Sequence, residues 1–476
     1  MMRIKRLIAI CLIAVFVCGT LISCGGNGEI PPVRTPAPSP ISEANQKDYT
    51  DDAALLESIV AYRRTFFDMA ESDAADFTVE AREGGVAILS YTGSANAVRV
   101  PASIGGAAVV AVADHAFRGN TTLTSLYLPD SILSFGEGIL ADCQSLTSLR
   151  TPLLGAAVGQ TQYLGYLFGA AGYVDNVIHV PASLKYLELG GGMERLDDYA
   201  LFESIHLVCL TLPDSMTHVG SYSMYRCSDL VAVNLSGVRS VADHALSACD
   251  ALTLIEFGKD VTSIGLGALE GCLNLRRLIL PFVGETDTQN NYLGYLFGAE
   301  VPDFSKGYYP SYLVEIEVLD GCTAIGDYAF YECTSLTRLT IPEGIESIGV
   351  RAFSSCERLE GLVLPATLSS VRESAFYACR SLRTLAFAEG STLSSLGINA
   401  FYGCDALTEI QLPASLTALP ASCFADCRAL ASIDLGGVLQ VGKNAFRNCA
   451  ALTEVKTNGP IKTEKGNEAL ESCISR

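Results

Sequence analysis

Cysteine is the residue type whose number and spacing in this chain first suggest chemistry. The sequence of 476 residues contains 17 cysteines, and in a secreted chain such a number would ordinarily predict disulfide bonds. Their spacing favours free thiols, because eleven cysteines share one position of a repeated phrase and would stack as small apolar residues in one buried column, where parallel side chains seldom reach disulfide geometry. The column comprises Cys143, Cys227, Cys249, Cys272, Cys333, Cys356, Cys379, Cys404, Cys427, Cys449 and Cys473.

The other residues of the sequence show no pattern typical of a metal site or of a catalytic site. There is no C-x-x-C pair, and Cys423 with Cys427 is a variant of the repeat rather than a zinc motif. His115 and His244 occur in matching Ala-Asp-His-Ala contexts, which indicates exposed turn positions. The sequence contains no G-x-S-x-G, H-E-x-x-H, phosphate-binding loop or dinucleotide-binding motif. We therefore expect a protein without enzymatic activity, metal or cofactor.

Cys24 has a separate interpretation, because it follows an apolar run near the N-terminus. Arg3, Lys5 and Arg6 precede the apolar residues 7–21, which is typical of a secretory signal and too short for a membrane span. The sequence Leu-Ile-Ser-Cys-Gly that ends the run is similar to a bacterial lipobox. Residues 1–23 would then be a lipoprotein signal peptide and Cys24 the lipid-bearing N-terminus, anchored to the membrane without spanning it. The alternative is ordinary signal cleavage beside an incidental cysteine.

Two short segments separate Cys24 from the repeats. Residues 24–48 are rich in Pro and Gly, a composition that predicts an extended tether. Residues 49–77 are expected to hold a capping helix, within about 51–71, because Leu55, Ile59, Tyr62 and Phe66 fall on one helical face. Repeat arrays need such a cap over the open first coil; a partner-binding helix is the alternative interpretation.

The elements that position the cysteines are repeats, which cover residues 78–476. The phrase L-x-x-L-x-L recurs with its middle leucine-type position at steps of 22–25 residues, except for two steps of 38. Self-similarity at such a period indicates a solenoid, here a β-rich leucine-rich repeat array of about 14 coils. The middle positions are 126, 149, 187, 210, 233, 255, 278, 316, 339, 362, 385, 410, 433 and 455.

The repeat pattern predicts that each coil contains a strand, a second short extended piece and a tight turn or short helix on the outer side. In L-x-L alternate side chains point inward, and the proline that often follows ends the strand. One coil cannot bury its apolar face alone, so stacked neighbours must share stability along the array. The residue between the last two leucines should point outward. These outward residues are Tyr127, Arg150, Thr211, Asn234, Glu256, Ile279, Thr340, Val363, Ala386, Gln411, Asp434 and Lys456.

The two enlarged coils of 38 residues share the motif Tyr-Leu-Gly-Tyr-Leu-Phe-Gly-Ala, at 163–170 and 292–299. Enlarged loops on repeat arrays often carry binding, and aromatic side chains suit protein or sugar contacts. The alternative is that the motif merely fills the core in place of Ala-Phe-x-x-Cys. The dissimilar tails, 173–178 and 301–312, are then the better candidates for contact. The candidate ligand-binding residues are Tyr163, Tyr173, Tyr292, Tyr308, Tyr309 and Tyr312.

The repeat phrase Ile-Gly-x-x-Ala-Phe-x-x-Cys-x-x-Leu-x-x-Leu-x-Ile-Pro, as it stands around Phe330 and Cys333, resembles the BspA-like leucine-rich repeats of bacterial surface proteins. The lead-in from Gly85 to Phe117 resembles the degenerate first coil of such proteins. The resemblance covers about residues 78–473 and implies a leucine-rich repeat solenoid, a cell-surface location and adhesion or host-protein binding. It implies no catalytic residues.

The net negative charge of the chain limits the classes of partner that we expect. Removal of residues 1–23 would leave 29 basic and 52 acidic residues, a net charge of −23, which disfavours nucleic acid and anionic membrane surfaces. We expect a monomeric, lipid-anchored surface protein that binds protein or glycan ligands, in the manner of an adhesin. The second hypothesis is a structural or assembly lipoprotein of the envelope without an external ligand.

Overall fold

A computed structural model describes residues 69–160, 162–289, 291–468 and 470–471 of the chain. These residues belong to one compact unit, which spans 59–476. The predicted signal peptide, Cys24, the tether, most of the capping helix and Cys473 lie outside the described residues. Residues 69–73, which the sequence prediction placed at the end of the capping segment, carry no regular structure, and a short 3-10 helix follows at Ala74–Asp76.

The L-x-L segments form ladder A, a stack in which each coil contributes one strand and most strands pair in parallel with the strand of the next coil. Parallel pairing in register sets Leu126 beside Leu149 and Leu149 beside Leu187, so equivalent leucines form one inward column. The strands are Ala97–Arg99, Ser125–Tyr127, Ser148–Thr151, Tyr186–Leu189, Cys209–Thr211, Ala232–Val233, Leu254–Glu256, Arg277–Leu280, Glu315–Val318, Arg338–Thr340, Gly361–Leu364, Thr384–Phe387, Glu409–Gln411, Ser432–Asp434 and Glu454–Lys456.

The predicted solenoid and its two enlarged coils are confirmed, with one difference in the count. Among the described residues ladder A has a strand more than the fourteen predicted, because Ala97–Arg99 pairs with Ser125–Tyr127 as the first member. Its two spaced inward residues are the valines Val98 and Val100, and Ala95 occupies the place of the first leucine. The leucine-based phrase therefore misses this strand, although both valines are buried.

In most coils the second extended piece forms a strand of ladder B, and these strands are mostly two residues long. A glycine ends many of them, because a side chain there would collide with the backbone of the preceding coil, as at Gly265 against Asp243. The strands are Ala107–Val112, Ser134–Phe135, Arg195–Leu196, His218–Val219, Ser240–Val241, Ser263–Ile264, Ala324–Ile325, Ser347–Ile348, Ser370–Val371, Ser395–Leu396, Ala418–Leu419, Gln440–Val441 and Lys462–Thr463.

The outer turns are also hydrogen-bonded from coil to coil. In one turn the amides of Tyr222, Met224 and Arg226 donate to carbonyl oxygens of the next coil at 2.8–3.2 Å. Tyr222 and Arg226 have positive φ angles of 54° and 56°, and this alternation of left- and right-handed residues turns every second amide toward the neighbouring coil. The turns therefore satisfy their backbone without forming a regular helix, as buried amides require.

The core of the solenoid holds two continuous columns from the turns. Phe330, Phe353, Phe376, Phe401, Phe424 and Phe446 stack ring on ring at 4.9–5.7 Å between centroids. Beside them, the ten described members of the cysteine column are free and buried, as the sequence predicts. Nine of these thiols donate to a backbone carbonyl oxygen of the preceding coil at 3.1–3.4 Å.

The first coil is closed by a hairpin. Strands Phe77–Arg82 and Gly85–Tyr91 pair antiparallel, and Gly85–Tyr91 pairs parallel with Ala107–Val112. The two-residue strand Ser103–Ile104 folds back on Ala107–Val112. The lead-in from Gly85 thus forms an irregular first coil, as its resemblance to a degenerate repeat implies.

The enlarged coils replace the usual turn with short helices. The shared motif forms the 3-10 helices Leu164–Phe168 and Leu293–Phe297. Each ends at a glycine with a left-handed φ, 88° at Gly169 and 93° at Gly298. The first tail continues as the 3-10 helix Tyr173–Asp175 and the α-helix Asn176–His179, and the second as the 3-10 helix Pro302–Gly307.

Candidate functional site

The outward side of ladder A is an exposed surface over most of its length. Asn234, Glu256, Thr340, Val363, Ala386, Gln411 and Lys456 are exposed, as the alternation of the strands predicts. Arg150, Thr211 and Ile279, by contrast, are buried. All three are outward members of ladder A, so burial there reflects what covers the strand face rather than the direction of the side chain.

Arg150 shows how the face is covered at its N-terminal end. Its guanidinium lies over the Tyr127 ring at 4.5 Å, and Arg99 lies over the same ring at 4.3 Å. Arg150 also donates to both carboxylate oxygens of Asp130 at 2.7 Å and to the Leu128 carbonyl at 2.7 Å. Glu188 is 3.5 Å away. These contacts occupy the guanidinium, and the cluster joins four coils rather than offering an open charge.

The C-terminal coils of ladder A leave two shallow depressions on the outward face. One has a volume of about 510 Å³ and is lined by Thr340, Gly361, Val363 and Ala386. The other, of about 690 Å³, extends from Ala386 to Lys456 past Glu409, Gln411 and Asp434. Small outward residues create these depressions, since the larger side chains of neighbouring strands rise on either side.

The shared aromatic motif of the enlarged coils fills space inside the turns. The Tyr163 hydroxyl donates to the Ala170 carbonyl at 3.1 Å, and the Tyr292 hydroxyl donates to the Ala299 carbonyl at 3.0 Å. Burial raises the pKa of both phenols. Each hydroxyl therefore closes its own helical turn, so the surroundings of Tyr163 and Tyr292 favour a packing role.

The first tail places Tyr173 against the next coil and exposes aliphatic side chains. The Tyr173 ring stacks on Tyr199 with centroids 4.3 Å apart. Asn176 anchors the tail, because its side chain accepts from the Gly165 amide at 2.8 Å and donates to the Phe202 carbonyl at 3.0 Å. Beside this anchor the exposed fractions are 55% for Val174, 40% for Val177 and 76% for Ile178.

The second tail separates its three candidate tyrosines. Tyr308 is exposed, Tyr312 is partly buried with the Arg276 guanidinium 6.0 Å from its ring, and Tyr309 packs edge-on against Phe297 at 6.1 Å. The Tyr309 hydroxyl donates to the Tyr331 carbonyl at 3.1 Å, and burial raises its pKa well above the usual range. Of these residues, Tyr308 offers most surface to a ligand.

The described residues give no sign of metal chemistry or of a membrane span. No group of three or more His, Cys, Asp or Glu side chains in this part of the chain is placed to hold a metal ion. None of its helices combines the length and apolar character needed to cross a membrane. The expected exposure of His115 is confirmed, whereas His244 is partly buried, stacked on Tyr222 at 4.8 Å with Glu270 at 3.0 Å.

Two surface features escaped the sequence analysis. The depressions on ladder A depend on small residues such as Gly361 and Ala386, of which the strand pattern predicts only that Ala386 points outward. The stacking of Tyr199, Tyr222 and His244 depends on their shared position immediately before the small-large pair of the turn. That recurrence was visible in the sequence, but the left-handed backbone that points these side chains along one row was not.

Comparison with known proteins identifies the repeats. The model for the BspA type leucine rich repeat region matches six copies, at residues 96–160, 177–291, 305–395 and 388–475. No curated protein matches the chain.

Solved structures with the same kind of fold come from several bacteria. A leucine-rich repeat protein from Bacteroides ovatus is 20% identical, with 83% of this chain and 90% of that chain covered and a TM-score of 0.33. A leucine-rich cell surface protein from Faecalibacterium prausnitzii is 19% identical, with coverages of 85% and 97% and a TM-score of 0.27. A leucine-rich repeat protein from T. pallidum is 17% identical, with coverages of 85% and 96% and a TM-score of 0.23.

Proposed function

The chain belongs to the BspA-type leucine-rich repeat family, and from this premise we propose that it is a lipid-anchored protein of the bacterial cell surface that binds a protein or glycan ligand. Its binding surface is the outward face of ladder A in the C-terminal coils. Stability in a solenoid is distributed along the stack, so this face can vary in side chains without loss of the fold. The protein acts as a binding scaffold rather than as an enzyme.

The observation that carries this proposal is the pair of depressions centred on Ala386. Together they follow ladder A from Thr340 to Lys456, which is an elongated surface suited to a chain-like ligand or a protein edge. Val363, which is 62% exposed, supplies an apolar contact in the first depression, and charged Glu409 and Lys456 line the second. An apolar centre with a polar rim is the usual anatomy of an interaction surface.

An array of matrix proteins and glycans probed with the full-length protein tests the proposal. Ala386→Arg fills the meeting point of the two depressions and should abolish binding to any array ligand. The matched control is Leu439→Arg, which adds the same side chain at an exposed position outside the depressions and should leave binding unchanged. Circular dichroism of both variants reports that the solenoid is intact. A protein that binds nothing on the array would instead support a structural role in the envelope.

Anchoring is tested separately at Cys24. Lipid attachment requires the thiol of that residue, so Cys24→Ala should move the protein from the membrane fraction to the medium or the periplasm. The matched control is Cys18→Ala, which changes a cysteine within the apolar signal and should leave the protein in the membrane fraction. Membrane association that survives Cys24→Ala contradicts lipid anchoring and leaves the binding proposal untouched.

A further inference from the structure

A row of stacked aromatic rings crosses the outer turns between the two enlarged coils. Tyr173 stacks on Tyr199 at 4.3 Å, Tyr199 on Tyr222 at 5.4 Å with the rings 1° from parallel, and Tyr222 on His244 at 4.8 Å. We call these four residues the aromatic row. Four successive coils each supply one ring, so the row continues a single line along the solenoid axis, on the turns rather than on ladder A.

A second pair of rings supports the row from the side. Phe202 and Tyr225 stack at 5.1 Å, and they meet Tyr199 and Tyr222 edge-on at 5.8 and 5.7 Å. Because rings in this arrangement hold each other in place, the row is rigid before any partner arrives. A preorganised surface loses little conformational entropy on binding.

Negative charge flanks the aromatic row. Asp198 and Asp243 directly precede Tyr199 and His244, and both are exposed. Each accepts a backbone N–H of the next coil, from Ser221 and from Leu266, at 2.8 Å. That bond fixes the carboxylate beside the row without neutralising its charge.

Further carboxylates lie at the His244 end and along the side of the row. Glu270 is 3.0 Å from the His244 ring, while Glu203 pairs with Arg226 at 2.6 Å. Burial raises the pKa of Tyr222, and Tyr199, Glu270 and Asp243 raise it further, which is consistent with a negative local potential. The other end of the row, at Tyr173, borders the exposed aliphatic side chains of Val174, Val177 and Ile178.

We propose that the aromatic row, with Asp198, Asp243 and the aliphatic side chains of the first tail, docks an extended, lysine- or arginine-containing segment of a partner protein. Charge complementarity selects the partner, since opposite charges steer and orient association. Four coils at about 4.8 Å extend roughly 14 Å, a length that about four or five residues of extended chain span. An aliphatic residue of that segment packs on Ile178, and its basic residues lie toward Asp198 and Asp243.

The stacking argues against a glycan on the same row. Both faces of the Tyr199 ring are covered, by Tyr173 and by Tyr222, and both faces of the Tyr222 ring are covered, by Tyr199 and by His244. A sugar or another planar group that stacks on an aromatic side chain needs a free ring face. The row offers ring edges and phenol oxygens instead, which suit the hydrogen-bond donors of a polypeptide.

The chain supplies a matched control for the acidic residues. Asp114 and Asp327 occupy the same turn position and accept the amides of Glu137 and Val350 at 2.8 and 2.7 Å, but they lie outside the row. The double variant Asp198→Asn and Asp243→Asn therefore removes two carboxylates and affects equivalent backbone contacts, as does the double variant Asp114→Asn and Asp327→Asn, which differs in also losing the ion pair of Asp327 with Arg372 at 3.4 Å. Only the first pair borders the aromatic row.

The probe is a labelled twelve-residue peptide in which lysine and valine alternate, added to the full-length protein and followed by fluorescence anisotropy. The row variant should bind the peptide about fivefold more weakly, as expected for two exposed charges, and the control variant should bind like the parent. A peptide of alternating glutamate and valine should not bind. Equal weakening in the two double variants, or equal binding of the two peptides, overturns the proposal.

A second pair of variants tests the aliphatic side chains at the Tyr173 end of the aromatic row. Ile178→Asn should weaken binding of the lysine peptide, whereas Leu439→Asn, at a comparably exposed leucine, should not. A ligand found on the array distinguishes this inference from the proposed function of ladder A. Its binding should be lost in Ala386→Arg and retained in the row variants. A row variant that loses a glycan on the array while keeping the peptide would assign the row to sugars and overturn the inference.

Discussion

The Sγ atom of Cys379 lies 3.1 Å from the carbonyl oxygen of Phe353, one coil earlier in the stack, and donates a hydrogen bond to it. Cys356 has the same relationship with Phe330, and Cys427 with Phe401, at 3.1 and 3.2 Å. The thiol thus combines a small apolar volume with a donor directed at the neighbouring coil. Alanine would lack both the sulfur volume and the donor, which explains the use of cysteine at this position.

Substitutions of Cys379 should show how much its packing and its hydrogen bond contribute to stability. Cys379→Ala should lower the free energy of unfolding by about 1–2 kcal/mol, because it removes one hydrogen bond and leaves a small cavity. Cys379→Arg should prevent folding, since a buried guanidinium there has no partner. Urea unfolding followed by circular dichroism measures both effects, with Leu439→Arg as the exposed control. If Cys379→Arg unfolds at the same urea concentration as Cys379→Ala, the column is not part of the packed core.

Thiol accessibility should follow burial. Burial raises the pKa of Cys227, Cys272 and Cys333 to about 12, so these thiols carry almost no thiolate at neutral pH and are shielded from reagents. The native protein should therefore react slowly with an aromatic disulfide reagent at pH 8, and the denatured protein should react with most of its cysteines. Disulfides found by mass spectrometry of the native protein, in place of free thiols, would contradict this interpretation.

Alkaline pH should destabilise the solenoid. The folded state holds the thiol pKa near 12, whereas a cysteine in the unfolded chain ionises near its ordinary pKa of 9.0. The stabilisation is therefore fully present below pH 9 and is lost as pH rises from about 9 to 12, by up to about 1.4 kcal/mol per pH unit for each thiol.

The measurement is the urea midpoint between pH 7 and pH 11. A fall that begins near pH 9 supports the buried column, and Cys379→Ala should show a shallower fall than the parent because it has one fewer thiol to ionise. A urea midpoint that is constant from pH 8 to pH 11 would show that the thiols ionise equally in both states.

The sequence determines the periodic parts of this fold better than the irregular ones. Leucine spacing predicted ladder A strand by strand, because each inward leucine packs on its equivalent in the next coil. The first strand, Ala97–Arg99, shows the limit, since Ala95, Val98 and Val100 replace the three leucines of the phrase. Surface features were less predictable: Arg150 is buried by Tyr127 and Asp130 from other coils, and such contacts depend on coil stacking rather than on local pattern.

The two tails are expected to act together on a repetitive ligand. The strands that follow the enlarged coils, Tyr186–Leu189 and Glu315–Val318, are five ladder steps apart, which corresponds to roughly 24 Å at about 4.8 Å per step. Whole-tail deletion would remove the Asn176 anchor, so point substitutions at Ile178 and Tyr308 are the sharper test. These side chains are exposed, and their loss should leave the fold intact.

Either Ile178→Asp or Tyr308→Ser should lower the affinity for a ligand with two binding units about 100-fold, because one lost contact also removes the effective concentration that it gives the other. A ligand with a single unit should lose only a few-fold, since it never benefits from that effect. Surface plasmon resonance with peptides that carry one or two copies of the twelve-residue lysine–valine sequence makes the comparison, with Leu439→Asp as control. Equal losses for the two forms would mean that the tails do not bind as a pair.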